Sequence, residues 1–185
     1  PNRREVSDVA NVVMEGADAV MLSAETAMGA HPALVVQTMV NIIREVEKEE
    51  NVYNRNLVPQ PHSPSFLSDA LCYNACKIAE DVHADALIGM TQSGYTGFMI
   101  SSFRPHAAIY VFTKTQTLIN QLSLSWGVQA FYYDKEEGMD EIIADQIAIL
   151  KEKGLLKNGD IVVNTGSTPV SEHLPTNLLK ITKVA

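Results

Sequence analysis

Apolar positions along this chain recur with two different periods, and the alternation between them organises the C-terminal two thirds. Ala86 to Met90 (ALIGM), Ala107 to Thr113 (AAIYVFT), Val128 to Tyr133 and Asp160 to Thr165 (DIVVNT) are short, nearly continuous apolar runs. Runs of that length fit strands buried on both faces. Between them the spacing turns helical. Leu67, Leu71, Ala75, Ile78 and Ala79 mark a helix from Ser65 to about Val82, and Phe98, Met99 and Ile100 a second. Lys114 to Ser125 makes a third, ending near Trp126-Gly127, and Met139, Ile142, Ile143, Ile147 and Leu150 a fourth that stops at Gly154. Leu178 to Val184 differs, because Leu179 and Ile181 alternate with Lys180 and Thr182 as in an edge or half-exposed strand. Strands alternating with helices predict an α/β fold, an open and mainly parallel sheet with helices on both faces. Tyr132 and Tyr133 straddle the end of the third strand, so one should be buried and the other exposed.

The N-terminal third reads differently. Val6, Val9, Ala10 and Val13 lie on one face of a helix that Gly16 ends. Asp18 to Ser23 (DAVMLS) predicts a buried strand, Glu25 to His31 a loop, and Pro32 opens a helix carrying Leu34, Val35, Met39, Ile42, Ile43 and Val46. One strand cannot close a sheet, so a helix-strand-helix alone should leave apolar faces exposed. From Lys48 to Pro64 the composition breaks to KEE followed by a proline-bearing stretch with Pro59, Pro61 and Pro64, read as a linker.

Composition narrows the function classes. With 185 residues the chain can build one ordinary core plus a piece of another. An apolar fraction of 46% and a mean hydropathy near zero indicate a folded protein. A net charge of -8 argues against nucleic acid as a partner, since a phosphate backbone needs a basic face. No apolar run approaches the roughly 18 residues of a membrane helix, and no leader pattern is present, so no membrane association and a cytoplasmic location are expected. Cys72 and Cys76, four apart on a helix, read as small core residues rather than a disulfide or zinc site. No metal is expected to bind this chain. The acidic run Asp134 to Glu141 reads as a solvated turn and helix start. Pro1 is not preceded by methionine and the first segment already reads as mid-domain, so the sequence is expected to be part of something longer.

The candidate chemistry sits between the first long apolar run and its helix, at Thr91-Gln92-Ser93-Gly94-Tyr95-Thr96. A hydroxyl-rich turn from strand to helix directs backbone N–H groups and the positive end of a helix dipole at one spot, which suits a phosphate. The same pattern also serves as plain helix capping. Thr165-Gly166-Ser167-Thr168, after the fourth strand, can lend hydroxyls and N–H groups to the same ligand.

The run RREVSDVANVVMEGADAVMLSAETAMGAHP resembles the end of the catalytic barrel of pyruvate kinases, which carry P-T-R-A-E, D-V-A-N and D-G-x-D-A-V-M-L-S-G/A-E-T-A followed by a helix opening with proline. The resemblance implies that residues 1–47 are the last helix-strand-helix of a (β/α)8 TIM barrel, 48–64 a linker and 65–185 the C-terminal regulatory α/β domain. Catalytic groups of such barrels sit at the C-terminal ends of strands, so Asn2, Ser23 and Glu25 would border the active site. Asn2 stands where the family has threonine, and Arg4 where it has alanine. The family's T-x-S-G-x-S/T effector loop is matched by Thr91, Ser93, Gly94 and Thr96, with Gln92 at a position that carries lysine in some activated members. Gly166, Ser167 and Thr168 would complete the effector site.

The resemblance implies a phosphotransferase that converts phosphoenolpyruvate and ADP to pyruvate and ATP with Mg and K, and assembles as a homo-oligomer, a tetramer in the family. Its lysine, magnesium and potassium ligands lie upstream of the matching segment, so this chain alone is expected to be inactive. Gly138 to Asp145 holds neither the arginine nor the tryptophan that bisphosphate-binding relatives supply. A sugar monophosphate, or another phosphorylated effector, is therefore expected over a bisphosphate. The alternative is a stand-alone sugar-phosphate or nucleotide sensor built on the same α/β domain.

Overall fold

The computed structural model describes residues 2–172 and 174–185; Pro1, in the predicted barrel segment, and His173, in the predicted loop after the fourth strand, lie outside the described residues. Five strands form: β1 (Ala86–Met90), β2 (Ala108–Thr113), β3 (Val128–Tyr132), β4 (Ile161–Gly166) and β5 (Leu178–Lys183). Their order in the sheet is β3-β2-β1-β4-β5. β1 runs parallel to β2 and β4, and β2 parallel to β3, with Ile88 opposite both Tyr110 and Asn164. β5 is antiparallel to β4 and closes one edge. The alternating pattern of β5 is that of an edge, and Ile181 stays 48% exposed.

Seven α-helices complete the chain: α1 (Arg3–Glu15), α2 (Ala24–Ala27), α3 (Pro32–Val46), α4 (Phe66–Asp81), α5 (Tyr95–Phe103), α6 (Gln116–Leu122) and α7 (Met139–Glu152). Successive strand residues point to opposite faces, and two cores follow from that. Leu87, Ile109, Val111 and Val163 pack with Cys72 and Ala75 of α4, Ile100 of α5 and Leu122 of α6. Ala86, Ile88, Phe112 and Val162 pack with Ile142 and Leu150 of α7. Helices therefore cover both faces, as a sheet with apolar residues on each side requires. Tyr133 is buried at 4% while Tyr132 is 54% exposed, and the two cysteines are buried and free. Burial pushes the Cys72 thiol up to about 12 and the Cys76 thiol higher still. Arg104 stacks 4.9 Å from the Trp126 ring at the end of α6, a cation-π contact that explains the tryptophan as packing.

The chain divides into two compact units, Pro1–Tyr53 and Asn54–Ala185, so the boundary falls inside the stretch read as a linker. A 3-10 turn, Glu50–Val52, belongs to the first unit, where Val52 is buried against Val13 and Val46. Asn54 and Arg55 already donate backbone hydrogen bonds to Arg104 and Phe103 of the second.

The first unit corrects one expectation. Asp18 to Ser23 is not a strand: it is irregular chain leading into α2, and Met21 is 84% exposed. Strand geometry leaves every other N–H and C=O pointing sideways, and without a neighbouring strand those groups have no ladder to join. The apolar run is real, but among the described residues no strand pairs with it. Met28 and Leu34 are likewise exposed, at 84% and 63%.

Candidate functional site

The strand order reverses between β1 and β4. β1 leads through α5 on one face of the sheet, whereas β4 is reached from α7 on the other. Loops leaving the carboxyl ends of such a strand pair diverge and open a crevice, the usual ligand position in open α/β sheets. Here a cavity of about 630 Å³ opens at that point. Its walls are the β1–α5 loop, the stretch after β4, Met139 at the start of α7, and the segment from Pro64 to Ser68 that opens α4.

The β1–α5 loop is shaped by its own side chains. Gly94 is the residue before α5 and takes φ 85°, a left-handed backbone natural to glycine. Its N–H donates to the Thr91 hydroxyl at 3.0 Å, and the Tyr95 N–H to the Ser93 hydroxyl at 3.4 Å. Thr96 Oγ1 lies 2.6 Å from Thr176 Oγ1, which ties the helix start to the β4–β5 loop. That loop is pinned in turn: the Thr168 N–H donates to Asn177 Oδ1, and Asn177 Nδ2 to the Thr168 carbonyl, each at 2.8 Å.

Thr91, Gln92, Ser93, Thr96 and Ser167 thus line one cavity although β1 and β4 are separated by more than seventy residues of sequence. Three sequence candidates do not line it. Gly94 shapes the turn from behind, Gly166 is buried under Met139, whose Cε would lie 2.9 Å from an added Cβ, and Thr168 is occupied by Asn177. Periodicity missed Thr176, Ser65 and Tyr95. Tyr95 stood inside the loop motif, and the other two carried no signal beyond being hydroxyl residues in loops. Among the described lining residues there is no Lys, Arg or His. Asp69 of α4, 7% exposed, stands behind two lining residues: its carboxylate accepts from Ser65 Oγ at 2.8 Å and from the Tyr95 hydroxyl.

The first unit holds the remaining candidates. Asn2 is committed as the cap of α1: its Oδ1 accepts from the Arg4 and Glu5 N–H groups at 3.0 Å, and its own N–H donates to Glu5 Oε2 at 2.7 Å. The Ser23 N–H donates to Glu25 Oε2 at 3.0 Å. The Glu25 carboxyl is held below its ordinary range by its own backbone N–H and by that of Ser23. Its neighbour Gly29 is required by close approach, since an added Cβ would stand 2.2 Å from the Glu25 carbonyl oxygen.

Comparison with known families places both units. Residues 69–182 match the model described as pyruvate kinase, alpha/beta domain, and residues 1–36 the one described as pyruvate kinase, barrel domain. The chain belongs to the pyruvate kinase family. A pyruvate kinase of Clostridium acetobutylicum is 36% identical over 182 residues, covering 98% of this chain and 38% of that protein. One from Staphylococcus aureus is 34% identical over 180 residues, covering 97% of this chain and 31% of its own length. A crystal structure of a Cryptosporidium parvum pyruvate kinase covers all of this chain and 37% of its own, with a TM-score of 0.85 and 29% identity. This sequence therefore spans about a third of the length of the pyruvate kinases it matches, and corresponds to their C-terminal portion.

Pyruvate kinase chemistry implies divalent and monovalent cations. Among the described residues no group of three or more His, Cys, Asp or Glu side chains converges. No step is assigned here to either cation. No helix among the described residues is long and apolar enough to cross a membrane.

Proposed function

We propose that this chain is the C-terminal, regulatory portion of an enzyme that transfers the phosphoryl group of phosphoenolpyruvate to ADP, and that its α/β unit binds a phosphorylated effector at the β1/β4 crevice. The observation that carries the reading is the convergence of Thr91, Ser93, Thr96, Thr176 and Ser167 on one cavity beside the start of α5. Backbone N–H groups and hydroxyls there are donors for an anion, and the helix dipole has the right sign. A hydrogen bond to a charged group contributes about 1.5 to 3 kcal/mol, so a few of them hold one phosphate without a cation. A second phosphate has no basic side chain to meet among the described lining residues. The effector in this reading is a monophosphate ester.

Ser23 and Glu25, at the end of the DAVMLS segment, border the active site of the complete enzyme in this reading, and magnesium and potassium belong to its barrel. Asn2, held as a helix cap, acts there through position rather than as a proton carrier. The complete protein is a homo-oligomer working in the cytoplasm, a setting in keeping with two free, buried cysteines.

Calorimetric titration of the 185-residue chain with sugar monophosphates and with fructose bisphosphate tests the effector reading. Monophosphate binding that Ser93→Ala weakens supports it; tighter binding of the bisphosphate at micromolar concentration overturns it. A coupled assay of the same material for pyruvate should read zero, and measurable turnover would refute the division of labour. Light scattering reports whether this portion alone self-associates.

A further inference from the structure

The cavity lining beside the hydroxyl cradle is not neutral. Ser65 and Tyr95 both belong to it, and both hydroxyls are bonded to the same buried carboxylate, Asp69. An ionised carboxylate accepts and never donates, so the Tyr95 proton is committed to Oδ1 and the Ser65 proton to Oδ2. Ser63 Oγ sits 2.8 Å from Ser65 Oγ. With the Ser65 proton already used, Ser63 is the donor of that pair. The proton inventory leaves lone pairs, and no protons, on the Ser65 and Tyr95 oxygens. The Tyr95 hydroxyl is held above its ordinary range chiefly by the hydrogen bond to Asp69, which outweighs the opposing contact with Ser65. It therefore keeps its proton at neutral pH and stays a donor to the carboxylate.

We propose that Asp69, by taking the protons of Ser65 and Tyr95, makes this part of the lining acceptor-rich, so that it selects a ligand whose non-phosphate end carries hydrogen-bond donors, hydroxyl or amino groups, and disfavours one with a second anionic group. The inference rests on the phosphate reading of the cradle and adds the rule for the other end of the ligand. A sugar or nucleoside hydroxyl donates to either oxygen. A second phosphate brings only acceptors, meets lone pairs on both, and lies close to the Asp69 charge. Met90, Leu174 and Pro175 in the lining offer it no donor, which leaves the Ser68 hydroxyl as the side-chain donor of the Pro64–Ser68 segment. Asp69 and Ser65 are specificity-determining without being part of the cradle, and Tyr95 joins the two, since it also opens α5.

The test compares four probes by calorimetry on the 185-residue chain: inorganic phosphate, butyl phosphate, ribose 5-phosphate and fructose bisphosphate. One or two added hydrogen bonds correspond to about tenfold in affinity. Ribose 5-phosphate should therefore bind about tenfold tighter than butyl phosphate, and the bisphosphate no tighter than ribose 5-phosphate. In Asp69→Asn an amide nitrogen replaces one of the two carboxylate oxygens, so one of Ser65 and Tyr95 meets a donor and has its proton released while the other keeps its acceptor, and the pentose advantage should fall below about threefold while the bisphosphate gains. Tyr95→Phe removes one acceptor from a residue that is 39% exposed, so it should fold even where Asp69→Asn does not. It should cut the pentose advantage by more than it changes inorganic phosphate binding. Equal binding of butyl phosphate and ribose 5-phosphate, or tightest binding of the bisphosphate, overturns this inference and leaves the cradle standing. Failure of all four probes to bind overturns both.

Discussion

Replacing Gly94 by alanine probes the turn on which the cradle depends. The substitution meets two separate penalties. At φ 85° an L-residue is in left-handed backbone, which costs about 1 to 2 kcal/mol. The new Cβ would also stand 2.7 Å from Leu118 Cδ1 and 2.8 Å from Phe98 Cε2. Phe98 is 42% exposed and can swing outward, but Leu118 is 4% exposed and packed in the core beneath α5 and α6. Overpacking of that kind costs about 1 to 3 kcal/mol, so with the backbone penalty the total is about 2 to 5 kcal/mol. That corresponds to a fall of roughly 10 °C in the melting midpoint of a domain this size.

Gly154→Ala supplies the control. Gly154 has φ 70° and nothing within 4 Å of an added Cβ, so only the backbone penalty applies there. Thermal unfolding followed by far-UV circular dichroism should place Gly94→Ala below Gly154→Ala, the gap measuring the contact with Leu118. Calorimetry on the folded Gly94→Ala chain should also show weaker phosphate binding, because the Gly94 N–H to Thr91 contact moves with the turn. Equal melting midpoints for the two variants would refute the steric half of the reasoning. A Gly94→Ala chain as stable as the parent would refute all of it.

Three further outcomes follow from the cores and the titrating groups. Phe112→Ala should cost about 3 to 5 kcal/mol in denaturant unfolding, because Phe112 is fully buried and packs on Phe131 and Tyr133; Tyr132→Ala, at the exposed end of the neighbouring strand β3, should cost far less. Cys72 and Cys76 should resist a thiol reagent at pH 8 in the native protein and both react in denaturant, since burial raises both thiols well above that pH; native labelling of either would contradict the α4 packing. Burial, with Asp145 second, pushes the Tyr133 hydroxyl up to about 12. Its folded value lies above the unfolded one near 10, so the stability it contributes is complete below about pH 10 and is lost as pH rises towards 12; Tyr133→Phe should flatten that alkaline decline in the melting midpoint.

What could be read from the chain itself was whatever is local. The apolar runs at Ala86–Met90 and Ile161–Gly166, the helical spacing of Ile142, Ile143 and Leu150, and the glycine stops at Gly16 and Gly154 each report a short-range period or a single backbone angle, and all lie where the pattern put them. Asp18–Ser23 failed for a complementary reason: its apolar run satisfies a strand's side chains, but a strand also needs a neighbour for its backbone, and no residue composition supplies one. The T-x-S-G-x-T loop was legible because its chemistry is contiguous. Ser65, Asp69 and Thr176 were not, because each is an ordinary hydroxyl or carboxylate until the chain brings α4, the α5 start and the β4–β5 loop together. Strand order likewise lies outside any local period: periodicity says that β1 and β4 are both buried strands, but only the path of α7 across the opposite face makes them neighbours and opens the crevice between their ends. The sequence by itself determined which segments of the sheet unit become strand or helix and where the hydroxyl-rich loop falls; tertiary structure decided what faces that loop, because long-range pairing depends on how several amphipathic surfaces are buried at once.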